Sequence, residues 1–586
     1  MFDCGQDRPG RYGSLIKPEA PKPPRAEEYK PLAEMAEGEL FDAQSYATME
    51  LDTLYELLNT CRTDLGRAAL QRAIAHPPLD GDDVRARQAA LNDLTNNDAL
   101  KSSAEALVTE FSLHEPGLME LMWSKFTGIM SNDTHDEWAR GGYGYKQFKR
   151  SRKALKAMED FGVAASSQEA AQSVVNDGAA SAEGGNATPE KSVTVKSGFF
   201  QGLVDDFTAL KSSRAAELLR GPAYVTETSP ITKSEKAWYR PAYRFRPTVF
   251  KPLLLLFLIA VPVGLNFIFN KFYTGSYYDG GNNVYPIMGL LIIFGIIPIV
   301  LSYIVMIGGH ERDRMIKPTG GELRKDPKVQ TALDALGELD VLLAHLRFKA
   351  DFPSQTVLPE IFDGDHHVFS ASGLKGPIIA MQEADYIAND VAFDAARLSF
   401  ITGPNSGGKT ALSKAVCQNQ VLGQMGGFVT AQSARLTPAG LIAYQVPQAG
   451  DLNQREGRFA TELGRTRDIF FASKANALVV LDEPFEGTSS QERLETSEQV
   501  LDGFVRLKAS VLFITHNHAL AALYRDRGGE GAGGEIFQFL EASFENDYPT
   551  HKFKHGIAST SHAARIANEI GFGQEDIQRR FEGEEK

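Results

Sequence analysis

Three short apolar runs punctuate the C-terminal half of the chain: residues 397–402 (RLSFIT), 477–481 (ALVVL) and 511–515 (VLFIT). Each is β-favouring and unbroken, which reads as a buried strand. A helical stretch over residues 411–421 follows the first run directly. The middle of the chain is patterned differently. Residues 253–269 and 284–307, stretches of 17 and 24, hold no charged residue. About 20 apolar residues at roughly 1.5 Å each cross the hydrocarbon core of a bilayer. The second run reaches that length. The first is short and carries Pro262 and Asn266, so it needs flanking anchors or partner helices. Buried core helices are the competing reading, disfavoured by the length of the second run.

The flanks point the same way. Lys233, Lys236, Arg240, Arg244, Arg246 and Lys251, interleaved with Trp238, Tyr239 and Tyr243, precede the first run, and Arg312, Arg314 and Lys317 follow the second. The connecting residues 271–283 hold one Lys and one Asp. By the positive-inside rule this predicts a multi-pass membrane protein with two spans and both termini cytoplasmic. An interleaved basic-aromatic segment also suits nucleic acid, but beside a span it reads first as a contact to anionic membrane lipid. Two polar tracts complete the pattern. Residues 1–30 are rich in Pro, Gly and charge, with no apolar core of a signal peptide, and residues 164–198 are mostly Ala, Ser, Gly and Glu. These read as a disordered tail and a flexible linker.

Composition adds limits. A chain of 586 residues has room for several domains, and a net charge of −14 argues against coating of nucleic acid by a bulk basic surface, though not against a local patch. Cys4, Cys61 and Cys417 lack metal-binding spacing and suit a reduced, cytosol-facing protein.

The chemistry lies between the apolar runs. Residues 403–410 read GPNSGGKT, a phosphate-cradling loop in its strand–loop–helix setting. Gly403, Gly407 and Gly408 free backbone N–H groups for the phosphates, Pro404, Asn405 and Ser406 complete the loop, Lys409 adds a point charge and Thr410 a hydroxyl for Mg²⁺. The next strand ends in Asp482-Glu483: Asp482 to hold the metal through water, Glu483 to polarise the attacking water. Gly487, Thr488 and Ser489 then turn the chain. The third strand delivers His516, placed to sense or orient the γ-phosphate. Four such elements in order predict a Mg-dependent ATPase, with ATP and Mg²⁺ as its small-molecule partners.

TGPNSGGKT, VLDEPFEGTSS and ITHNH resemble the ATPase domain of the MutS mismatch-repair family. The resemblance implies an ABC-like P-loop α/β domain working as a head-to-tail homodimer. It extends to Tyr386 and Asn389, in the segment whose aromatic residue stacks on adenine. Residues 552–572 resemble the family's closing helices, and residues 51–91 the start of its all-helical lever domain. Residues 329–349, with Gly337-Glu-Leu-Asp340, are similar to the helix returning from the lever to the ATPase. The implied fold class is a C-terminal α/β ABC-like P-loop ATPase domain plus an all-α lever-like domain interrupted by a two-helix transmembrane hairpin. Its expected segments are a disordered tail (1–40), a lever-like domain (41–160), a low-complexity linker (161–198) and a juxtamembrane helical, basic segment (199–251). The transmembrane hairpin (252–308), return helices (309–360), the ATPase domain (361–545) and dimerisation helices (546–586) follow.

The chain departs from the family in three places. The hairpin stands where the family has its DNA clamp, no mismatch-reading domain is detected before the lever, and the segment that reaches the partner's γ-phosphate aligns with residues 451–463. There the family's serine falls on Gly457. Gly457 still offers an N–H at a helix start. Arg458 beside it could serve as a trans contact to the phosphoryl group, against the favoured alternative of pairing with Glu456 or Glu462. The leading expectation is a membrane-anchored, dimeric MutS-like ATPase that transmits motion through helical levers. The alternative is a DNA-binding repair or recombination ATPase tethered to the membrane, modestly supported by the basic residues 146–156. A transporter motor ranks third, because two spans without ionisable residues make a poor substrate pathway.

Overall fold

Apolar residues at three- and four-residue spacing fold the first half of the chain into helices, several started by a side-chain cap. In chain order these are α1 (Ala43–Thr48), α2 (Leu51–Leu58), α3 (Asp64–Ala75), α4 (Gly81–Asn96), α5 (Asp98–Trp123), α6 (Tyr145–Ala179), α7 (Gly198–Ala209) and α8 (Arg214–Arg220). Asp42, Thr63, Asp80, Ser197 and Ser213 cap α1, α3, α4, α7 and α8 by accepting from backbone N–H groups in the first turn. A small antiparallel sheet follows, β1 (Ala223–Val225), β2 (Pro230–Ile231) and β3 (Tyr243–Phe245), with β1 in the middle. Helices α9 (Lys317–Lys325) and α10 (Pro327–Asp351) then return, and α10 packs on α3. One apolar core, including Phe111, Phe148, Phe207 and Leu336, joins these helices. The computed structural model describes residues 32, 35, 39–123, 145–179, 197–227, 229–240, 242–245, 312–364, 366–383, 385–393, 397–447, 455–485, 490–528, 537–545, 548–558, 571–572 and 578–579.

The second half is α/β. Strands β4 (Glu360–Ile361), β5 (Phe369–Leu374) and β6 (Asn389–Phe393), with α11 (Pro377–Gln382) between the last two, lead to β7 (Leu398–Thr402) and α12 (Lys409–Gln424). Then come β8 (Ser433–Leu436), β9 (Leu441–Gln445), α13 (Arg455–Ala472), β10 (Ala477–Asp482), α14 (Ser490–Leu507), β11 (Ser510–Thr515), α15 (His518–Gly528), β12 (Phe537–Glu545) and β13 (Tyr548–His555). The main sheet runs β13-β12-β7-β11-β10-β9, parallel except for β13, and a second sheet runs β4-β8-β5-β6. Every residue of β7, β9, β10 and β11 is buried, as strands covered on both faces should be. Register pairs Asp482 with Ile514 and Thr515 with Thr402, so the three central strands end in one row. Ligand sites of open α/β sheets lie at such carboxyl ends.

The fold class needs one correction. No helix among the described residues is long and apolar enough to cross a membrane, so the transmembrane hairpin and the two-span membrane localisation drop out of the architecture. The stretch assigned to the hairpin, residues 252–308, lies outside the described residues. A charge-free run is a hydropathy pattern shared by spanning helices and buried core elements, and pattern alone does not separate them.

Three boundaries also differ. Helix α6 runs to Ala179, into the tract read as linker. Its alanines cannot build a core, but they favour helix strongly. Residues 548–555, expected at the start of the closing helices, form β13, which pairs antiparallel with β12. The tail read over 1–40 ends in buried residues: Leu32 and Leu40 are 7% and 0% exposed and pack on the ATPase half.

Candidate nucleotide-binding site

The phosphate loop begins where β7 ends. Gly403 takes φ 131° and Gly408 φ 86°, values open mainly to glycine. Gly403 and Gly407 have a second reason to lack a side chain, since an added Cβ would stand 2.9 and 2.6 Å from the Cβ of Ala542 on β12. Lys409 and Thr410 open α12, so the loop hands its charge and hydroxyl to a helix N-terminus.

The side chains converge. Lys409 is 2% exposed; its Nζ donates to the Gly403 carbonyl at 2.7 Å and stands 3.8 Å from Glu483 Oε1. Burial lowers its pKa, with Glu483 and Asp482 opposing that. Thr410 Oγ1 donates to Asp482 Oδ2 at 2.8 Å. Burial raises the Asp482 carboxyl, and the Thr410 hydrogen bond counters it. His516 Nε2 lies 2.5 Å from Glu483 Oε1. Lys409, Glu483 and His516 thus form one linked set and Thr410 with Asp482 a second, both at the row of strand ends. Thr410 and Asp482 offer hard oxygen donors that suit Mg²⁺. Among the described residues no cluster of three or more His, Cys, Asp or Glu forms a self-sufficient metal cage.

Glu483 is held in an unusual backbone. It has φ 48° and Phe485 has φ 68°, both in the left-handed region that non-glycine residues avoid. Two hydrogen bonds fix this turn: Glu483 N–H to the Ile514 carbonyl at 3.0 Å, and Phe485 N–H to Glu462 Oε2 at 2.9 Å. Glu462 is buried on α13, so the helix beginning near Gly457 and Arg458 is tied to the turn carrying Glu483. Gly457 is exposed at the start of that helix, and Thr461 Oγ1 donates to its carbonyl at 2.8 Å. The Arg458 side chain, residues 451–454 and the Gly487–Ser489 turn lie outside the described residues.

Two further residues expected at the nucleotide stand outside the phosphate loop itself. Tyr386 is half-buried against the core beside α12, its hydroxyl on the Gly376 backbone, and burial raises its pKa. Asn389 spends both ends of its amide on β13: Nδ2 donates to the His551 carbonyl and Oδ1 accepts from Phe553 N–H, each at 2.9 Å. It fastens the second sheet to the main one. That same strand brings in a residue absent from the sequence reading. His551, at φ 54°, places Nδ1 within 3.4 Å of where a Gly408 Cβ would be. No local motif marks it, because its position depends on β13 folding back over the loop.

Comparison with known proteins agrees with this geometry. Residues 399–582 match the family described as MutS domain V. The chain is 30% identical over 247 residues, 40% of its length, to the DNA mismatch repair protein msh3 of Aspergillus niger. It is 31% identical over 204 residues, 34% of its length, to the DNA mismatch repair protein MutS of Syntrophomonas wolfei. It is 28% identical over 276 residues, 46% of its length, to Endonuclease MutS2 of Thermus thermophilus. These matches span only 22%, 23% and 34% of the respective relatives. The match to MutS domain V takes in the phosphate loop and the strands that carry Asp482, Glu483 and His516.

Proposed function

We propose that the chain is a MutS-type ATPase that hydrolyses ATP with Mg²⁺ as a homodimer. The observation that supports it most is the meeting, beneath the phosphate loop, of two sets of contacts: Lys409 and His516 on Glu483, and Thr410 on Asp482. Loop amides and Lys409 bind the β- and γ-phosphates. Thr410 and Asp482 hold Mg²⁺, which when bound neutralises charge on the transferred phosphoryl group. Glu483 orients a water and accepts its proton as the water oxygen bonds to the γ-phosphorus and the bond to the bridging oxygen breaks. His516 fixes the Glu483 carboxylate in that pose. Gly457 and Arg458 are assigned to the partner's γ-phosphate, and Tyr386 and His551 to the nucleotide's own side of the loop.

The test is hydrolysis by the purified chain. Glu483→Gln is expected to keep ATP binding and to slow turnover by about 10²–10⁴-fold, while Lys409→Ala weakens binding itself. Wild-type turnover by Glu483→Gln would refute the assignment of the base.

The names of the relatives favour DNA as the partner on which the motion acts, since two of the three are DNA mismatch repair proteins. Duplex binding followed by fluorescence anisotropy should weaken steeply with salt, because phosphate contacts release counterions. No binding at low salt removes DNA from the proposal.

A further inference from the structure

Residues 40–50, which include α1, are wired into the nucleotide site. Strand β9 is an edge of the main sheet. Its outward N–H groups are taken by this segment: Ile442 N–H donates to the Leu40 carbonyl at 2.7 Å and Tyr444 N–H to Ser45 Oγ at 2.9 Å. Ser45 Oγ in turn donates to Asp42 Oδ1 at 2.6 Å. Asp42, 3% exposed, receives both terminal nitrogens of Arg465 from α13, at 2.6 and 2.8 Å. A two-pronged, nearly dry pair of this kind fixes direction as well as distance.

From this knot two chains of contacts lead to the reacting groups. On one side Arg465 lies one turn beyond Glu462, and Glu462 holds the Phe485 N–H that shapes the Glu483 turn. Gln445 stitches the same stretch of α13 to β9, donating to the Glu462 carbonyl at 3.2 Å and accepting from Thr466 Oγ1 at 2.9 Å. On the other side the hydroxyl of Tyr444, fully buried, meets Ser413 Oγ at 2.6 Å. Ser413 donates to the carbonyl of Thr410 at 3.0 Å. The knot also leads into the turn between α1 and α2, where Glu50 pairs with Lys414 of α12 at 2.7 Å and the Met49 carbonyl accepts from Gln418 at 2.9 Å.

We propose that Asp42, Ser45 and Arg465 are positioning residues for ATP hydrolysis: they set α13, and through Glu462 the Glu483 turn, against the helix that carries Lys409 and Thr410. They touch neither phosphate nor metal. This rests on the ATPase reading above. Loss of the pair therefore alters the chemical step more than nucleotide binding, because the phosphate loop keeps its own backbone while the base loses its alignment.

The test is a double-mutant cycle of Asp42→Asn, Arg465→Gln and the pair together in the full chain. Each single change is expected to lower kcat by about tenfold or more with the affinity for a fluorescent ATP analogue within about threefold, the pattern of a lost transition-state alignment. The double variant should be no worse than the worse single one, since both remove one interaction. Hydrogen exchange of α13 and of the Phe485 amide, measured without nucleotide, should rise in both variants. That readout stands whether or not the chain turns over ATP, so an inactive wild type would refute the ATPase reading alone. Unchanged exchange in α13, unchanged kcat despite a lowered melting temperature, or multiplying effects in the double variant would each overturn the positioning role. Ser45→Ala, which keeps the ion pair, guards against a variant that fails to fold and is expected to show the same changes in weaker form.

Discussion

At the scale of single residues the site was legible where its chemistry is local. Lys409, Thr410, Asp482, Glu483 and His516 follow strand ends at short range, and the strands announce themselves as unbroken apolar runs. His551 and Ala542 were not legible, because each reaches the loop through β12 and β13, more than a hundred residues later. Thr410 gives the sharpest test at this scale. Its hydroxyl holds Asp482 at 2.8 Å and is itself assigned to Mg²⁺. Thr410→Val is expected to raise the Mg²⁺ concentration needed for half-maximal hydrolysis by about 10–100-fold, the usual range for a lost metal-site partner. A Mg²⁺ titration of ATPase rate checks this, and an unchanged midpoint would remove Thr410 from the metal site.

At the scale of elements, α12 links the site to the helical domain. It starts at Lys409, and the chain leaves it through Gly426 (φ 82°) and Gly427. A Cβ on Gly426 would stand 2.6 Å from the Cβ of Arg87, and one on Gly427 2.3 Å from the His345 ring of α10. The two glycines let helices α4 and α10 close directly onto this turn. Among the described residues neither ring nitrogen of His345 has a hydrogen-bond partner, and burial lowers its pKa from 6.5 to about 4, with Arg87 adding to the shift and Glu338 opposing it. His367, buried against Gln420, is likewise lowered to about 4. A folded pKa below the unfolded value means that the unfolded chain takes the proton first. Stability should therefore fall as pH drops from about 6.5 towards about 4. Urea midpoints across that window should show the loss, and His345→Gln should flatten it; an unchanged slope would mean that His345 is not held neutral. None of this was visible in the sequence, where a lone histidine in a helix carries no mark of its surroundings. The extension of α6 and the strand β13 are hidden for a related reason: helix propensity and a distant pairing partner decide them, and bulk composition carries neither.

At the scale of the whole molecule the two halves share one interior. Leu40, Phe41, Tyr46, Leu54, Tyr55 and Leu70 lie in the same apolar core as Phe369, Ile401, Val416 and Leu512. Resemblance divides the chain into helical and α/β segments, but sequence pattern does not say which faces of them meet. A fragment cut at residue 361 would expose much of this surface, and burial of each large apolar side chain is worth about 1.5–3 kcal/mol. Residues 361–586 alone are expected to aggregate or to melt well below the full chain, whereas the same fragment with residues 39–75 supplied through a flexible linker should recover. Size-exclusion profiles and thermal melts compare the two; a monodisperse, equally stable short fragment would show that the shared core is dispensable.

The knot at Asp42 also has a consequence for how the chain is made. Ser45 meets Tyr444, and Asp42 meets Arg465, across 399 and 423 positions of sequence. At about 5–20 residues per second the ribosome needs roughly 20–80 s to supply the partners. For that interval Leu40, Phe41 and Tyr46 have left the exit tunnel with no strand to cover them. Contacts of such long range form slowly even when both sides exist. Newborn chains thus pass through a period in which this apolar segment is a natural client for chaperones, and synthesis of the α/β half is what releases it.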